Sequence, residues 1–212
     1  MTMNRGWIKA LTLTLAVGVA LPALAQDGGL YEDVPDPNAS FVRIVGANIT
    51  SAVVASTAFG DLPSGVSGYV VVPQPGEISI TDGVDESKVT VEAGKYYSFV
   101  VGADGTKTLI AEDISSSPAQ AVVTVFNLSD KPKVDLFVPA ASAVAVKDVA
   151  ISSSASVALK APLTLDFEVR EGDVVLASLS GVDLQRRGGV AIVFRGSAGA
   201  YDVVMQPSTL AK

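Results

Sequence analysis

The sequence carries acidic side chains but has no histidine and no cysteine with which to perform chemistry. Without imidazole or thiol, the chain cannot form a Ser-His-Asp or Cys-His device, or the common zinc sites. A pair of carboxylates can still act as acid and base, and the candidates are Asp82, Asp85 and Glu86, or Glu112 and Asp113. All five lie beside turn residues, where acids are normally solvated. We therefore predict no catalytic residue, no cofactor and no metal, because calcium at Asp82, Asp85 and Glu86 would match no known loop motif.

Large side chains with polar tips are favoured at protein interfaces, and a few of them are candidate contact positions. Tyr96 and Tyr97 are neighbours in a predicted strand, so one faces inward and the other outward, and we choose Tyr97 as the outward one. Arg186 and Arg187 precede two glycines and form a basic turn that could dock a carboxylate. The candidate interface residues are Tyr31, Arg43, Tyr97, Arg186, Arg187 and Tyr201.

A strand, a turn and a second strand between residues 121 and 138 form the unit around which the chain is organised. Residues 121–126 are β-branched and aromatic, which suits a largely buried strand. Residues 127–133 contain Asn, Ser, Asp and Pro, which favour a turn. Residues 134–138 alternate apolar side chains with a period of two. We predict a hairpin here, and a looser copy at residues 42–54 opens the first half.

Short strands with regular Gly, Pro and Asp turns, and no convincing amphipathic helix, predict an all-β sandwich or barrel. Two correspondences indicate a repeat: Gly94–Gly102 resembles Gly188–Gly196, and Asn48–Thr50 resembles Asn127–Ser129. Each half has about 85–95 residues, a common size for immunoglobulin-like sandwiches. We predict two tandem antiparallel β-sandwiches; the alternative is one irregular sandwich with accidental similarity. The predicted strands are 41–47, 52–59, 66–72, 77–81, 88–91, 96–101, 106–111, 121–126, 134–138, 144–149, 156–159, 163–170, 173–179, 190–195 and 201–205.

The first residues are typical of a bacterial export signal, which predicts a periplasmic protein. Arg5 and Lys9 precede or flank an apolar run at residues 10–21, and small residues then place cleavage after Ala25. No later apolar run is long enough to span a bilayer. The predicted organisation is a signal peptide at 1–25, an extended segment at 26–40, a first sandwich at 41–111, a linker at 112–119 and a second sandwich at 120–212.

The charge of the chain disfavours anionic partners. The net charge is −7, and without Arg5 and Lys9 of the signal it falls to −9. Such a chain is a poor ligand for nucleic acid and for anionic membranes. It also binds polyanionic polysaccharides poorly unless its few Arg and Lys residues are grouped. Sugar-binding faces often stack rings on tryptophan or tyrosine. The single tryptophan, Trp7, lies in the predicted signal, which weakens the interpretation as a glycan-binding protein.

Several short motifs resemble the AlgF family. Gly29–Tyr31, a proline-rich spacer and Ser40–Ile44 resemble the start of its mature members. Tyr96–Val100 resembles its tyrosine-pair strand. Val125, Asn127–Ser129 and Lys131-Pro132 resemble the strand and turn that open its second half. The resemblance runs in order over most of the predicted mature chain, but residues 140–156 carry none of it.

The resemblance implies a non-catalytic periplasmic protein of two β-sandwich domains that is required for O-acetylation of mannuronate in alginate. It implies two partners, the periplasmic acetyltransferase proteins of the Ser-Asp-His type and the membrane acyl-transfer protein. The resemblance assigns no catalytic residue to this chain. We therefore predict an adaptor that links acetyltransferase components, with weak contact to the polysaccharide left open. The alternatives are a carbohydrate-binding module that holds the exopolysaccharide, a generic exported interaction protein and, last, an acetylesterase.

Overall fold

The computed structural model describes residues 36–114 and 117–211, and this part of the chain is built almost entirely from strands. It contains sixteen strands and one turn of 3-10 helix at Pro139–Ala141. Among the described residues, no helix has the length and apolarity needed to cross a membrane. The predicted export signal, its cleavage site and Tyr31 lie outside the described residues.

The strands fall into two sets of eight along the chain. The first set is β1 (Ser40–Gly46), β2 (Ala52–Val54), β3 (Thr57–Phe59), β4 (Val70–Val72), β5 (Gly76–Thr81), β6 (Glu86–Val91), β7 (Tyr96–Val101) and β8 (Lys107–Glu112). The second set is β9 (Gln120–Ser129), β10 (Lys133–Val138), β11 (Ala143–Ala150), β12 (Ser153–Lys160), β13 (Leu163–Glu171), β14 (Val174–Leu184), β15 (Gly189–Ser197) and β16 (Ala200–Pro207).

Each set folds into a sandwich of two four-stranded sheets with the same topology. In the first sandwich the outer sheet has the order β3-β2-β5-β6 and the inner sheet the order β4-β1-β7-β8. In the second sandwich the outer sheet is β11-β10-β13-β14 and the inner sheet β12-β9-β15-β16. The orders are identical when eight is added to each strand number, so the predicted fold of two tandem β-sandwiches is confirmed. One pair in each sandwich differs from the prediction, because β1–β7 and β9–β15 are parallel.

The predicted hairpins are wrong. β9 belongs to an inner sheet and β10 to an outer sheet, as do β1 and β2, so neither pair of strands shares hydrogen bonds. The burial patterns give the reason: β10 alternates buried and less buried residues, whereas β9 is buried on both faces along nearly its whole length. A strand covered on both sides belongs in a middle layer, and a strand with one solvated face belongs in an outer one. The turn between them therefore crosses from one layer to the next.

The inner sheets are covered on both faces because the two sandwiches stack on each other. Val42 and Ile44 of β1 pack into the core of the first sandwich, whereas Val45 enters a separate cluster on the opposite face of the strand. That second cluster joins the inner sheets of both sandwiches. It contains Val45, Ala47, Val66, Val100, Phe126, Leu128, Ala191 and Val193. The described strands thus form four layers within one compact unit.

Candidate functional site

Two of the carboxylates considered for catalysis or calcium bind a lysine instead. Lys107 Nζ lies 2.7 Å from Asp82 Oδ2 and 3.3 Å from Asp85 Oδ2. Burial tends to raise the pKa of Asp82, but hydrogen bonds from Lys107 and from the backbone N–H groups of Asp85 and Val84 hold that pKa below its usual value. Nowhere in 36–114 and 117–211 do acidic side chains group in a way that could hold a metal ion. This cluster ties the loop after β5 to β8.

Glu112 is buried at the end of β8 and pairs with Arg43, so the expectation that it is solvated is wrong. Arg43 Nη2 lies 2.7 Å from Glu112 Oε2, with the two side chains 1% and 0% exposed. Arg43 Nε also donates to Glu112 Oε1 at 3.1 Å, which makes the pair bidentate. Arg43 occupies the face of β1 that points toward the second sandwich, opposite to Val42 and Ile44.

Residues from both sandwiches complete the hydrogen bonds of this ion pair. From the first sandwich, Tyr69 Oη donates to Glu112 Oε1 at 2.8 Å, and Ser98 Oγ donates to the same oxygen. From the second, Thr124 Oγ1 donates to Glu112 Oε2 at 3.2 Å. Arg43 Nη1 donates to Ser208 Oγ at 3.1 Å. Because a buried charge is tolerated only when it is paired and hydrogen-bonded, this cluster favours one specific docking of the two sandwiches.

Two aromatic rings enclose the guanidinium of Arg43. Its Cζ atom lies 4.5 Å from the centre of the Tyr69 ring and 5.2 Å from that of Phe126, which belongs to the second sandwich. Such cation–π contacts strengthen when water is excluded. Burial raises the pKa of Tyr69 strongly; Arg43 opposes this effect, while the Glu112 carboxylate adds to it. Tyr69 therefore remains a neutral hydrogen-bond donor inside the junction.

The end of the chain crosses back to the first sandwich as a strap. Tyr69 N donates to Thr209 O at 2.8 Å, and Ala211 N donates to Tyr69 O at 2.7 Å. We call residues 209–211 the C-terminal strap. A Cβ atom at Gly68 would lie 3.1 Å from Ala211 N and 3.2 Å from Thr209 O, so the strap passes directly over this glycine. The strap extends the edge of the first inner sheet beside β4.

An aromatic pocket of about 260 Å³ lies next to the ion pair, between the two sandwiches. Phe41 and Tyr96 stack with ring centres 4.4 Å apart, and Tyr69 meets Tyr96 edge-on at 5.3 Å. Arg187, in the turn before β15, also lines the pocket. Its guanidinium has no acidic partner among the described residues. Within the described part of the chain, the pocket thus combines an aromatic wall with the guanidinium of Arg187.

The structure separates the predicted interface residues rather than gathering them. Tyr97 does not face outward, because it packs in the first core and its hydroxyl accepts a hydrogen bond from Glu92 N at 3.1 Å. Arg43 is buried in the junction. Arg186 and Arg187 are exposed in one turn. Tyr201 is partly buried on β16, where its hydroxyl donates to Asp130 Oδ1 at 2.8 Å.

Sequence reasoning missed Glu112 as the partner of Arg43 and the polar side chains that complete this ion pair. Glu112, Tyr69, Thr124 and Ser208 come from distant parts of the chain. One signal could have found the cluster: an arginine inside the otherwise apolar strand β1 requires a buried acceptor. Nothing local identifies Glu112 as that acceptor.

The fold and the junction define a protein of two tandem β-sandwich domains stacked face to face around a buried ion pair. The chain belongs to the AlgF family, because residues 10–192 match the family described as "Alginate O-acetyl transferase AlgF". This confirms the resemblance drawn from the short motifs.

Related proteins carry the same family name. The chain is 28% identical over 197 residues to "Alginate biosynthesis protein AlgF" of Azotobacter vinelandii, covering 92% of this chain and 89% of that protein. It is 25% identical over 201 residues to the protein of that name from Pseudomonas putida, covering 92% and 93%. Among solved structures, the C-terminal domain of AlgF from P. aeruginosa matches with 27% identity and a TM-score of 0.38, covering 42% of this chain and 98% of that domain.

Proposed function

We propose that this chain is a periplasmic, non-catalytic adaptor in the O-acetylation of alginate, which holds acetyltransferase components near one another. The observation that carries the proposal is the complete lack of histidine and cysteine in a member of a family named for acetyl transfer. Acyl transfer through a serine or cysteine nucleophile normally requires an imidazole to move the proton. A chain without that group supports acetylation more readily by contact than by chemistry.

The stacked architecture suits an adaptor. The ion pair of Arg43 and Glu112 and the apolar cluster around Phe126 fix the two sandwiches to each other. A partner bound to one sandwich would therefore be held at a set distance from a partner bound to the other. Fixed geometry of this kind lowers the entropy lost when two partners are brought together.

Binding and genetics test the proposal. The chain from residue 26 to residue 212 should bind the periplasmic domains of the acetyltransferases from the same organism in an interferometry assay. Deletion of the gene should remove acetyl groups from the exported polymer. Unchanged acetylation after deletion would contradict the proposed function. Acetylesterase activity of the purified chain would instead support an enzyme.

One observation favours a second candidate function, a module that binds the polysaccharide itself. The aromatic pocket offers the stacked rings of Phe41 and Tyr96, and Arg187 could pair with the carboxylate of a uronate ring. Titration with mannuronate oligomers tests it, with Arg187→Glu as the charge-reversed variant and Arg186→Glu as the control outside the pocket. Sugar binding without acetyltransferase binding would move the function to polymer capture.

A further inference from the structure

The edges of the four sheets are protected against added strands, with one exception. An exposed edge strand presents unpaired backbone groups, and proteins normally blunt it by short length, bulges, charges or a covering segment. β3 and β4 are three residues long. β11 and β14 contain register shifts, and β6, β8 and β16 carry charged side chains. Only β12 among the described edge strands has none of these devices before its last residue, Lys160.

β12 is regular, carries no charge before Lys160 and is open on one side. It pairs with β9 without a register shift, and residues 153–159 are Ser, Ala, Val and Leu. Ala161 N donates to Ala119 O at 3.0 Å, just past the end of the strand. In an antiparallel strand the backbone N–H and C=O groups of successive residues point alternately toward and away from the paired strand. The bond from Ala161 N therefore shows that the odd-numbered residues of β12 point toward β9. Ser154, Ser156 and Ala158 direct their backbone N–H and C=O groups away from β9.

These groups open into a groove rather than onto a flat surface. A cavity of about 490 Å³ lies between residues 154–158 of β12 and residues 110–113 at the end of β8. Every residue from 153 to 159 is partly buried, so the edge is recessed. No other strand of the described chain pairs with this edge.

In the first sandwich, the edge at the equivalent position pairs with an extended segment of the chain. β12 occupies the position in its inner sheet that β4 occupies in the other, since the two topologies are identical. Beside β4, the C-terminal strap adds an extended segment by pairing with Tyr69. At β12 the equivalent place is not filled by the described chain.

We propose that the β12 groove binds an extended, uncharged segment of a partner protein by strand addition to Ser154, Ser156 and Ala158. In this mode backbone hydrogen bonds supply affinity and small pockets supply specificity. A second copy of the chain could not pair through its own β12, because two recessed edges cannot approach each other. The inference rests on the proposed adaptor function and names the surface that the adaptor uses.

Proline scanning of the edge tests the inference. Ala158→Pro removes a groove-facing N–H while the bonds to β9, made by the odd-numbered residues, remain. Ala158→Ser is the matched control, since it keeps the N–H. We expect Ala158→Pro to weaken binding of the acetyltransferase periplasmic domain by about tenfold, and Ala158→Ser to leave it within about twofold. Ser154→Lys, which keeps the backbone intact and adds an edge charge, should also weaken binding and serves if the proline variant unfolds.

Amide hydrogen exchange of the full mature chain gives an independent readout. The amides of residues 154, 156 and 158 should become protected in the acetyltransferase complex. Unprotected amides together with wild-type affinity in Ala158→Pro and Ser154→Lys would overturn the inference and leave the adaptor function standing. Failure of the wild-type chain to bind the acetyltransferase would contradict both the β12 groove inference and the adaptor function. A concentration-dependent dimer that Ala158→Pro abolishes would assign the groove to a second copy and overturn the partner named here.

Discussion

The guanidinium of Arg43 and the carboxylate of Glu112 meet 2.7 Å apart, buried between two β-sandwiches. They lie 69 residues apart in the chain, on β1 and at the end of β8, with β7 between those strands in the sheet. Ser98 of β7 bonds to both, and Ser208 and Thr124 bond from the other sandwich. The ion pair therefore links three strands of one sheet to the neighbouring domain.

Removal of one partner should destabilise the protein strongly. Arg43→Met leaves the Glu112 carboxylate buried without its counter-charge, and breaking a buried pair in this way costs about 3–5 kcal/mol. Urea unfolding of the variant and the wild type measures the difference in the free energy of unfolding.

The double variant Arg43→Met, Glu112→Leu is the control for that measurement. Because an apolar replacement of both partners removes the unpaired charge, the double variant should be more stable than Arg43→Met alone. A loss below about 1 kcal/mol in the single variant would contradict the cost expected for a buried, unpaired Glu112 carboxylate.

Alkaline pH should destabilise the chain through Tyr69. Its pKa is raised in the folded state by burial and by Glu112, so above about pH 10 the unfolded chain ionises first. Stability is fully present below that pH and falls as the pH rises, by about 1.4 kcal/mol per pH unit for one group. Tyr69→Phe should be less stable at neutral pH, but its free energy of unfolding should fall less steeply above pH 10.

The control for the alkaline experiment is Tyr97→Phe. Tyr97 also lies in the first core, but its hydroxyl accepts its hydrogen bond from a backbone N–H and makes none to Glu112. Tyr97→Phe therefore measures the effect of removing a tyrosine hydroxyl from the same core without touching the ion pair. Equal slopes in the wild type and in Tyr69→Phe would contradict the assignment.

Sequence patterns predicted the sandwiches well because alternation and turn residues are local signals. They did not predict the four-layer stack, although β9 and β10 carried a clue. The run at Ala121–Phe126 does not alternate, whereas Val134, Leu136 and Val138 do, and this difference places the two strands in different layers. The polar junction could not be predicted, because the choice of Glu112 as the partner of Arg43 depends on tertiary contacts. The open edge of β12 could not be predicted either, because the sequence of a single strand does not determine the order of strands in a sheet.

The C-terminal strap should stabilise the first sandwich. Gly68→Val places side-chain atoms where Ala211 N and Thr209 O now lie, within 3.1–3.2 Å of a Cβ, and so displaces the strap. The two backbone hydrogen bonds with Tyr69 would be lost, at about 1–3 kcal/mol in total.

Thermal unfolding and hydrogen exchange at the Tyr69 amide measure the effect. Gly60→Ala, at a site where a Cβ meets nothing within 4 Å, is the control. Continued protection of the Tyr69 amide in Gly68→Val would show that the strap stays in place.

Acid should release the loop after β5. Burial acts to raise the pKa of Asp82, but the hydrogen bonds from Lys107 and the loop backbone outweigh it, so the folded-state pKa lies below the usual 3.8. A carboxyl with a lowered pKa contributes stability above the unfolded value, and that contribution is lost as the pH falls through 3.8 toward the folded value. Asp82→Asn should therefore be less stable at pH 7 and should lose less stability between about pH 5 and pH 2.

Asp85→Asn is the matched control, because its side chain is 71% exposed while that of Asp82 is 8% exposed, although both contact Lys107. Exposed ion pairs add little to stability, so Asp85→Asn should lose less stability at pH 7 than Asp82→Asn. Acid titration of the free energy of unfolding separates the two variants. If Asp85→Asn reduces the loss of stability at acid pH as much as Asp82→Asn does, the effect comes from either ion pair with Lys107 and is not specific to Asp82.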